Sequence, residues 1–174
     1  VTDLGGLSCF ELFSVTSGSF DTLGRSWGAN YAGQLGDGTT TSRIVPTPVS
    51  GLSNLVSVAG GSYHGLALLN DGTVRAWGHN LYGQLGDGTT SNRSLPTMVS
   101  GLTNVVAVAG GLQHSLALLS DGTVRAWGQN NFGQLGDGTA TVRLTPTSLS
   151  SLNSVVSIAC GAYYSLALMS DGTV

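Results

Sequence analysis

The hydrophobic and polar positions of this chain fall into short runs with no helical phase. Val105–Ala109 (VVAVA) and Ser115–Leu119 (SLALL) are apolar at nearly every position, which predicts strands buried on both faces. Between the second run and the returning strand Thr123–Trp127 stands Ser120-Asp121-Gly122-Thr123. It reads as a tight two-residue hairpin turn in which Asp-Gly supplies the positive-φ positions. A glycine-rich loop, Gly133–Gly138, comes next, and then Arg143–Ser150 with Pro146 inside it. Proline removes a ladder donor, so this fourth strand is expected at the outer edge of its sheet.

The pattern returns every fifty residues. Arg-x-Trp-Gly stands at 25–28, 75–78 and 125–128, Gly-Gln-Leu-Gly-Asp-Gly-Thr at 33–39, 83–89 and 133–139, and Asp-Gly-Thr-Val at 71–74, 121–124 and 171–174. No insertion or deletion interrupts it. Four short strands per unit describe one blade of a β-propeller, and a blade needs neighbours to cover its two faces. The expected fold is therefore all-β, built of four-stranded antiparallel blades. Three units, 25–74, 75–124 and 125–174, follow a diverged N-terminal segment, 1–24, which reads as a partial blade or cap. At fifty residues per unit the 174 residues make about 3.5 blades, a partial propeller.

Composition narrows the chemistry. Net charge is −3, lysine is absent, and the six arginines are dispersed, so the dense basic footprint of a nucleic-acid binder is missing. No apolar run reaches the length of a membrane span. Cys9 and Cys160 form no CxxC pair, so neither a disulfide framework nor a zinc site is expected. No cofactor is called for.

Most residues that carry chemistry recur with the repeat. His64 and His114 are expected to be packing residues at strand starts, hydrogen-bonded to backbone, because Tyr164 replaces them in the last unit. The aspartates sit one per loop, which suits turn chemistry better than a calcium cage. Trp27, Trp77 and Trp127, each before Gly28, Gly78 or Gly128, read as wedges between blades. The recurring arginines are expected to have a structural partner, either a loop carbonyl or a repeated aspartate.

What varies between units points to a binding surface. After each Trp-Gly an asparagine is constant and its neighbours change: Tyr31; then His79, Leu81 and Tyr82; then Asn131 and Phe132. The residues before the histidine position also change, through Tyr63, Gln113 and Tyr163. Variable tips on a fixed scaffold are how repeat proteins build binding surfaces, and aromatic side chains make good anchors for a protein partner.

Gly-Gly-x-x-His-x-Leu-Ala-Leu (60–68 and 110–118), Asp-Gly-Thr-Val-Arg-x-Trp-Gly and Asn-x-x-Gly-Gln-Leu-Gly, in that order and spacing, resemble the regulator of chromosome condensation repeat over residues 25–174. The resemblance implies a propeller, usually of about seven blades. That family includes guanine-nucleotide exchange factors for small GTPases, a plant ultraviolet-B receptor and a secreted β-lactamase inhibitor, so the fold does not settle the activity. Every candidate catalytic residue has a repeat-equivalent copy, and no inserted hairpin breaks a unit. The expected role is a non-enzymatic protein-binding scaffold. Nucleotide exchange and enzyme inhibition are the alternatives. The chain begins at Val1 and stops within a unit, so it reads as a fragment or as a half-ring that pairs with a second copy to close the propeller.

Overall fold

A computed structural model describes residues 9–12 and 24–174, the former as backbone only. Thirteen strands and no helix make up the described residues. β1 (Cys9–Leu12), β2 (Gly24–Gly28) and β3 (Arg43–Pro48) form a three-stranded sheet. β4 (Leu55–Gly60), β5 (His64–Leu69), β6 (Val74–Gly78) and β7 (Arg93–Met98) form a four-stranded one in that order. β8 (Val105–Gly110), β9 (His114–Leu119), β10 (Val124–Gly128) and β11 (Arg143–Ser148) repeat it, and β12 (Val155–Cys160) pairs with β13 (Ser165–Met169). All pairings are antiparallel.

These are propeller blades, and the chain is a partial propeller. The proline-bearing strands β7 and β11 are edge strands, where a missing amide harms no ladder. The two middle strands of each complete sheet are the best covered: Leu66, Ala67, Ala76, Trp77, Ala117, Ala126 and Trp127 are almost wholly buried. The sheets are cut in a different phase from the sequence units, because one sheet runs from Leu55 to Met98 and the next from Val105 to Ser148. Segment 1–24 falls largely outside the described residues; within it, β1 pairs with β2 in the place that β5 and β9 hold beside β6 and β10.

Two local readings need correction. Val105–Ala109 is not buried on both faces, because Val106, like Val56 and Val156, is exposed. The register shifts between Val105 and Ala107, so Val106 is the extra residue of a β-bulge and turns away from the core. The hairpins are also longer than two residues. Gly72 N–H donates to the Leu69 carbonyl and Leu69 N–H to the Thr73 carbonyl, enclosing Asn70-Asp71-Gly72. Only the glycine has positive φ, +75° at Gly72 and +79° at Gly122, which is the three-residue loop with a glycine bulge. The aspartate instead accepts from the Thr73 amide at 2.9 Å and its hydroxyl at 2.7 Å.

Adjacent inner strands approach closely at one end. Ser62 N–H donates to the Gly111 carbonyl and Leu112 N–H to the Ala162 carbonyl, both at 3.2 Å. A Cβ on Gly61 would stand 2.2 Å from His64 Cε1 and 2.6 Å from the Gly111 carbonyl oxygen. Only glycine fits there, which explains the second glycine of the pair before each histidine.

Candidate partner-binding face

At the end of each blade where β2, β6 and β10 finish, a loop of common construction emerges. Gly78 ends β6 at φ +104°, and Gly28 and Gly128 do the same at +108° and +103°. The next residue but one is the constant asparagine. Asn80 is fully buried. Its Oδ1 accepts from the Leu85 amide at 2.9 Å, while Nδ2 donates to the carbonyls of Thr89 at 3.0 Å and Ser91 at 3.1 Å and to Asp87 Oδ1 at 3.2 Å. A side-chain amide carries both the acceptor and the donors this needs. Asn30 and Asn130 make the same bonds.

The loop aspartate completes the frame. Asp87 Oδ1 accepts from the Thr89 amide and hydroxyl at 2.9 and 2.8 Å, and Oδ2 pairs with Arg93 at 2.9 Å. Arg43–Asp37 and Arg143–Asp137 pair at 2.7 Å. Burial alone would raise these carboxyls, but the hydrogen bonds from threonine, arginine and asparagine outweigh it. Asp37 and Asp87 lie below their ordinary value, and Asp137 is pulled down to about 2. One arginine of each unit thus has the expected aspartate partner. Of the other set, Arg25 reaches the Pro46 carbonyl and Arg125 reaches Ser148 Oγ.

A second amide, which the sequence reading missed, supports the tip. Gln34, Gln84 and Gln134 are buried, and each Oε1 accepts from the amide of Ala32, Tyr82 or Phe132 at 2.9, 3.1 and 3.0 Å. The Nε2 of Gln84 donates to His79 Nδ1 at 2.8 Å, and that of Gln134 to Gln129 Oε1 at 3.3 Å. Gln34 Nε2 is buried with no partner among the described residues, because Ala29 occupies that position. The invariance of this glutamine in Gly-Gln-Leu-Gly was the available signal.

On this frame stand the variable residues. Tyr31, Leu81, Asn131, Phe132 and Tyr163 are exposed, and Tyr63, His79, Tyr82 and Gln113 are half-buried. Tyr63 lies 5.8 Å from the Tyr31 ring of the previous blade and 6.1 Å from His79, and Phe132 meets Tyr163 edge-on at 5.3 Å. These rings join loops of neighbouring blades at one end of the sheets. Leu81, Tyr82, Gln113 and Asn131 lie on the same set of loops.

The histidines and tryptophans lie beneath this face. His64 Nε2 sits 2.9 Å from Ser115 Oγ and His114 Nε2 sits 3.1 Å from Ser165 Oγ. Each ring thus reaches a side chain of the next blade, and His114 also has a backbone hydrogen bond at Tyr164. Each serine hydroxyl donates to a Gln84 or Gln134 carbonyl, so it accepts from the ring N–H. Burial, with His114 and His79 adding to it, pushes His64 down to about 3, and burial pushes His114 to about 4. Both are neutral near pH 7 and aimed at serine. Tyr164, in the same register, is exposed. Trp77 Nε1–H donates to the Gln34 carbonyl at 2.9 Å and Trp127 Nε1–H to the Gln84 carbonyl at 2.8 Å. Each indole therefore wedges one blade onto the last; Trp27 is half-buried.

A family model described as "Regulator of chromosome condensation (RCC1) repeat" matches residues 26–68, 71–118 and 121–168, and a second of the same description matches 55–84 and 105–134. Among solved structures, yeast RCC1 (Prp20) bound to Kap60 is similar with a TM-score of 0.76 and 26% identity, over 86% of this chain and 38% of that one. Prp20p from Saccharomyces cerevisiae, studied with its binding to Gsp1p and histones, matches with a TM-score of 0.76 and 24% identity over 94% and 42%. Human WBSCR16 matches at 0.75 and 28% over 94% and 46%. The chain spans less than half the length of each.

Proposed function

The chain belongs to the regulator of chromosome condensation (RCC1) repeat family, and on that premise we propose that it is a non-catalytic scaffold that binds a protein partner through the loop face of Tyr31, Tyr63, Leu81, Phe132 and Tyr163. The observation that carries this reading is the contrast within each loop. Buried asparagine, glutamine and aspartate lock the backbone, while the residue at the tip is aromatic or aliphatic and exposed. Such a surface presents large anchors at low ordering cost, which favours binding. The histidines, neutral and buried beneath it, are committed to interblade bonds. Yeast RCC1 (Prp20), to which this chain is similar, was solved bound to Kap60, which supports a protein as the class of partner.

Capture from a lysate by the chain, compared with a Tyr31→Ala/Leu81→Ala/Phe132→Ala variant, tests the face. Loss of the captured protein with unchanged thermal stability supports it, and unchanged capture removes it. Nucleotide exchange on a small GTPase is the second reading, favoured by family membership alone. Accelerated release of labelled nucleotide by the chain would place it first.

A further inference from the structure

His79 stands on the partner-binding face, at the base of the loop that follows β6, whereas His64 and His114 lie beneath that face. It is half-buried, and its amide donates to the Tyr63 carbonyl at 2.8 Å, which fixes its backbone. Its ring meets Gln84, and the two ends of that side-chain amide hold two different groups. Oε1 accepts from the Tyr82 amide at 3.1 Å, and Nε2 donates to His79 Nδ1 at 2.8 Å. A backbone amide can only donate, so it keeps Oε1 on the tip side and leaves the NH2 for the histidine. Nδ1 therefore has to accept, and the ring proton sits on Nε2.

The equivalent glutamine meets a different residue in each unit. Gln134 Nε2 donates to Gln129 Oε1 at 3.3 Å, an acceptor that never titrates. Gln34 Nε2 has no partner among the described residues, where Ala29 stands, yet Gln34 Oε1 still accepts from the Ala32 amide at 2.9 Å. Only the middle unit sets a titratable ring against the glutamine. A protonated imidazole carries N–H on both nitrogens, so Nδ1–H then points at the Gln84 NH2, donor against donor. Turning the amide over gives the charged ring an oxygen, in a stronger bond than a neutral one, and sets the NH2 against the Tyr82 N–H. One of the two bonds is lost in either orientation. The Gln84 backbone cannot follow, because its carbonyl accepts from Ser115 Oγ at 2.9 Å and Trp127 Nε1 at 2.8 Å. The change therefore falls on the tip.

The titratable groups around His79 are Tyr63, whose ring lies 6.1 Å away with Tyr31 of the previous blade beyond it, and His64, which the charge of His79 holds down. Among the described residues no carboxylate or guanidinium bonds to His79. Burial holds it below the ordinary 6.5, so the ring is neutral near pH 7 and charges on acidification.

We propose that His79 is an acid-operated latch on the partner-binding face: on taking up a proton it turns the Gln84 amide and releases the Tyr82 tip, while the tips at Ala32 and Phe132 stay held. Leu81 and Tyr82 then leave the position fixed at neutral pH, so the face changes in one loop of the three. That this alters the hold on a partner rests on the loop face being the binding surface; the latch itself does not.

Amide exchange measured by NMR on the free chain, from about pH 8 to about pH 5, tests it. The rate at Tyr82 is divided by that at Phe132, which cancels the intrinsic pH dependence of exchange. This ratio should rise about threefold to tenfold, as one lost hydrogen bond gives, with the same midpoint as the His79 Cε1–H resonance. The ratio of Ala32 to Phe132 should stay flat. His79→Gln installs the pair found in the third unit, so it should keep the low Tyr82 ratio at every pH. A His79 ring that takes up no proton over this range, a Tyr82 ratio that ignores its titration, or an equal rise in the His79→Gln variant would each overturn the proposal. No partner is present in this experiment, so its failure leaves the loop-face reading standing, and failure of the capture experiment leaves the latch standing.

Discussion

His64 Nε2 and Ser115 Oγ, fifty-one residues apart on neighbouring blades, lie within 2.9 Å of each other inside the protein. Because the serine hydroxyl donates to the Gln84 carbonyl at 2.9 Å, the histidine must carry its proton on Nε2. The same Gln84 carbonyl accepts from Trp127 Nε1. One loop carbonyl therefore receives two donors from the next blade, and the histidine ties that blade back to its own.

The histidines make stability depend on pH. His64 and His114 hold values of about 3 and 4 in the fold against an ordinary 6.5. As pH falls below 6.5 the unfolded chain takes up protons that the native fold refuses, so stability is lost on acidification and is complete above 6.5. Between pH 6.5 and 5 the loss should be about 1.5 kcal/mol per histidine. Urea midpoints over that range check it: His64→Gln should flatten the slope by about one proton. The aspartates, already below their ordinary values, lose their contribution only at lower pH and do not confound this window.

Trp127→Phe should destabilise the chain by about 1 to 3 kcal/mol, combining a lost hydrogen bond to a buried carbonyl with a poorly filled socket. Trp27→Phe, at a residue that is only half-buried, should cost clearly less. Denaturant midpoints of the two variants, both in the Arg-x-Trp-Gly motif, give the comparison.

Asn80→Ala should be among the most damaging polar substitutions, at about 2 to 4 kcal/mol. It leaves the Leu85 amide and the Thr89 and Ser91 carbonyls without their partner. Asp71→Ala, in an exposed turn, should cost clearly less. Amide exchange across residues 80–92 should accelerate in the first variant and not in the second.

Ala29→Gln should stabilise the protein by roughly 0.5 to 1.5 kcal/mol, since it gives buried Gln34 Nε2 the acceptor that Gln129 gives Gln134. Thermal unfolding of the single variant is sufficient. A lowered midpoint would show that the site has no room for the longer side chain.

Much of the blade was readable from residues because its signals are local. Pro46, Pro96 and Pro146 marked the edge strands, and Asp-Gly marked the hairpins, although the turn proved one residue longer. The bulge that exposes Val56, Val106 and Val156 left no mark in a run of apolar residues. The serine beneath each histidine was hidden by distance, and so was the role of Gln34, whose carbonyl meets Trp77 from forty-three residues away.

The sequence by itself determined the repeat, the all-β blade, the family and which loop residues vary, because each rests on spacing within fifty residues. Only the tertiary structure decided which identical motifs are buried. Trp27 and Trp127 share the same Trp-Gly context, yet one is half-exposed and the other fully enclosed, and Leu116 and Leu166 differ in the same way. A repeat acquires its core from the blade beside it, so burial depends on whether a neighbour is present, and no single unit encodes that.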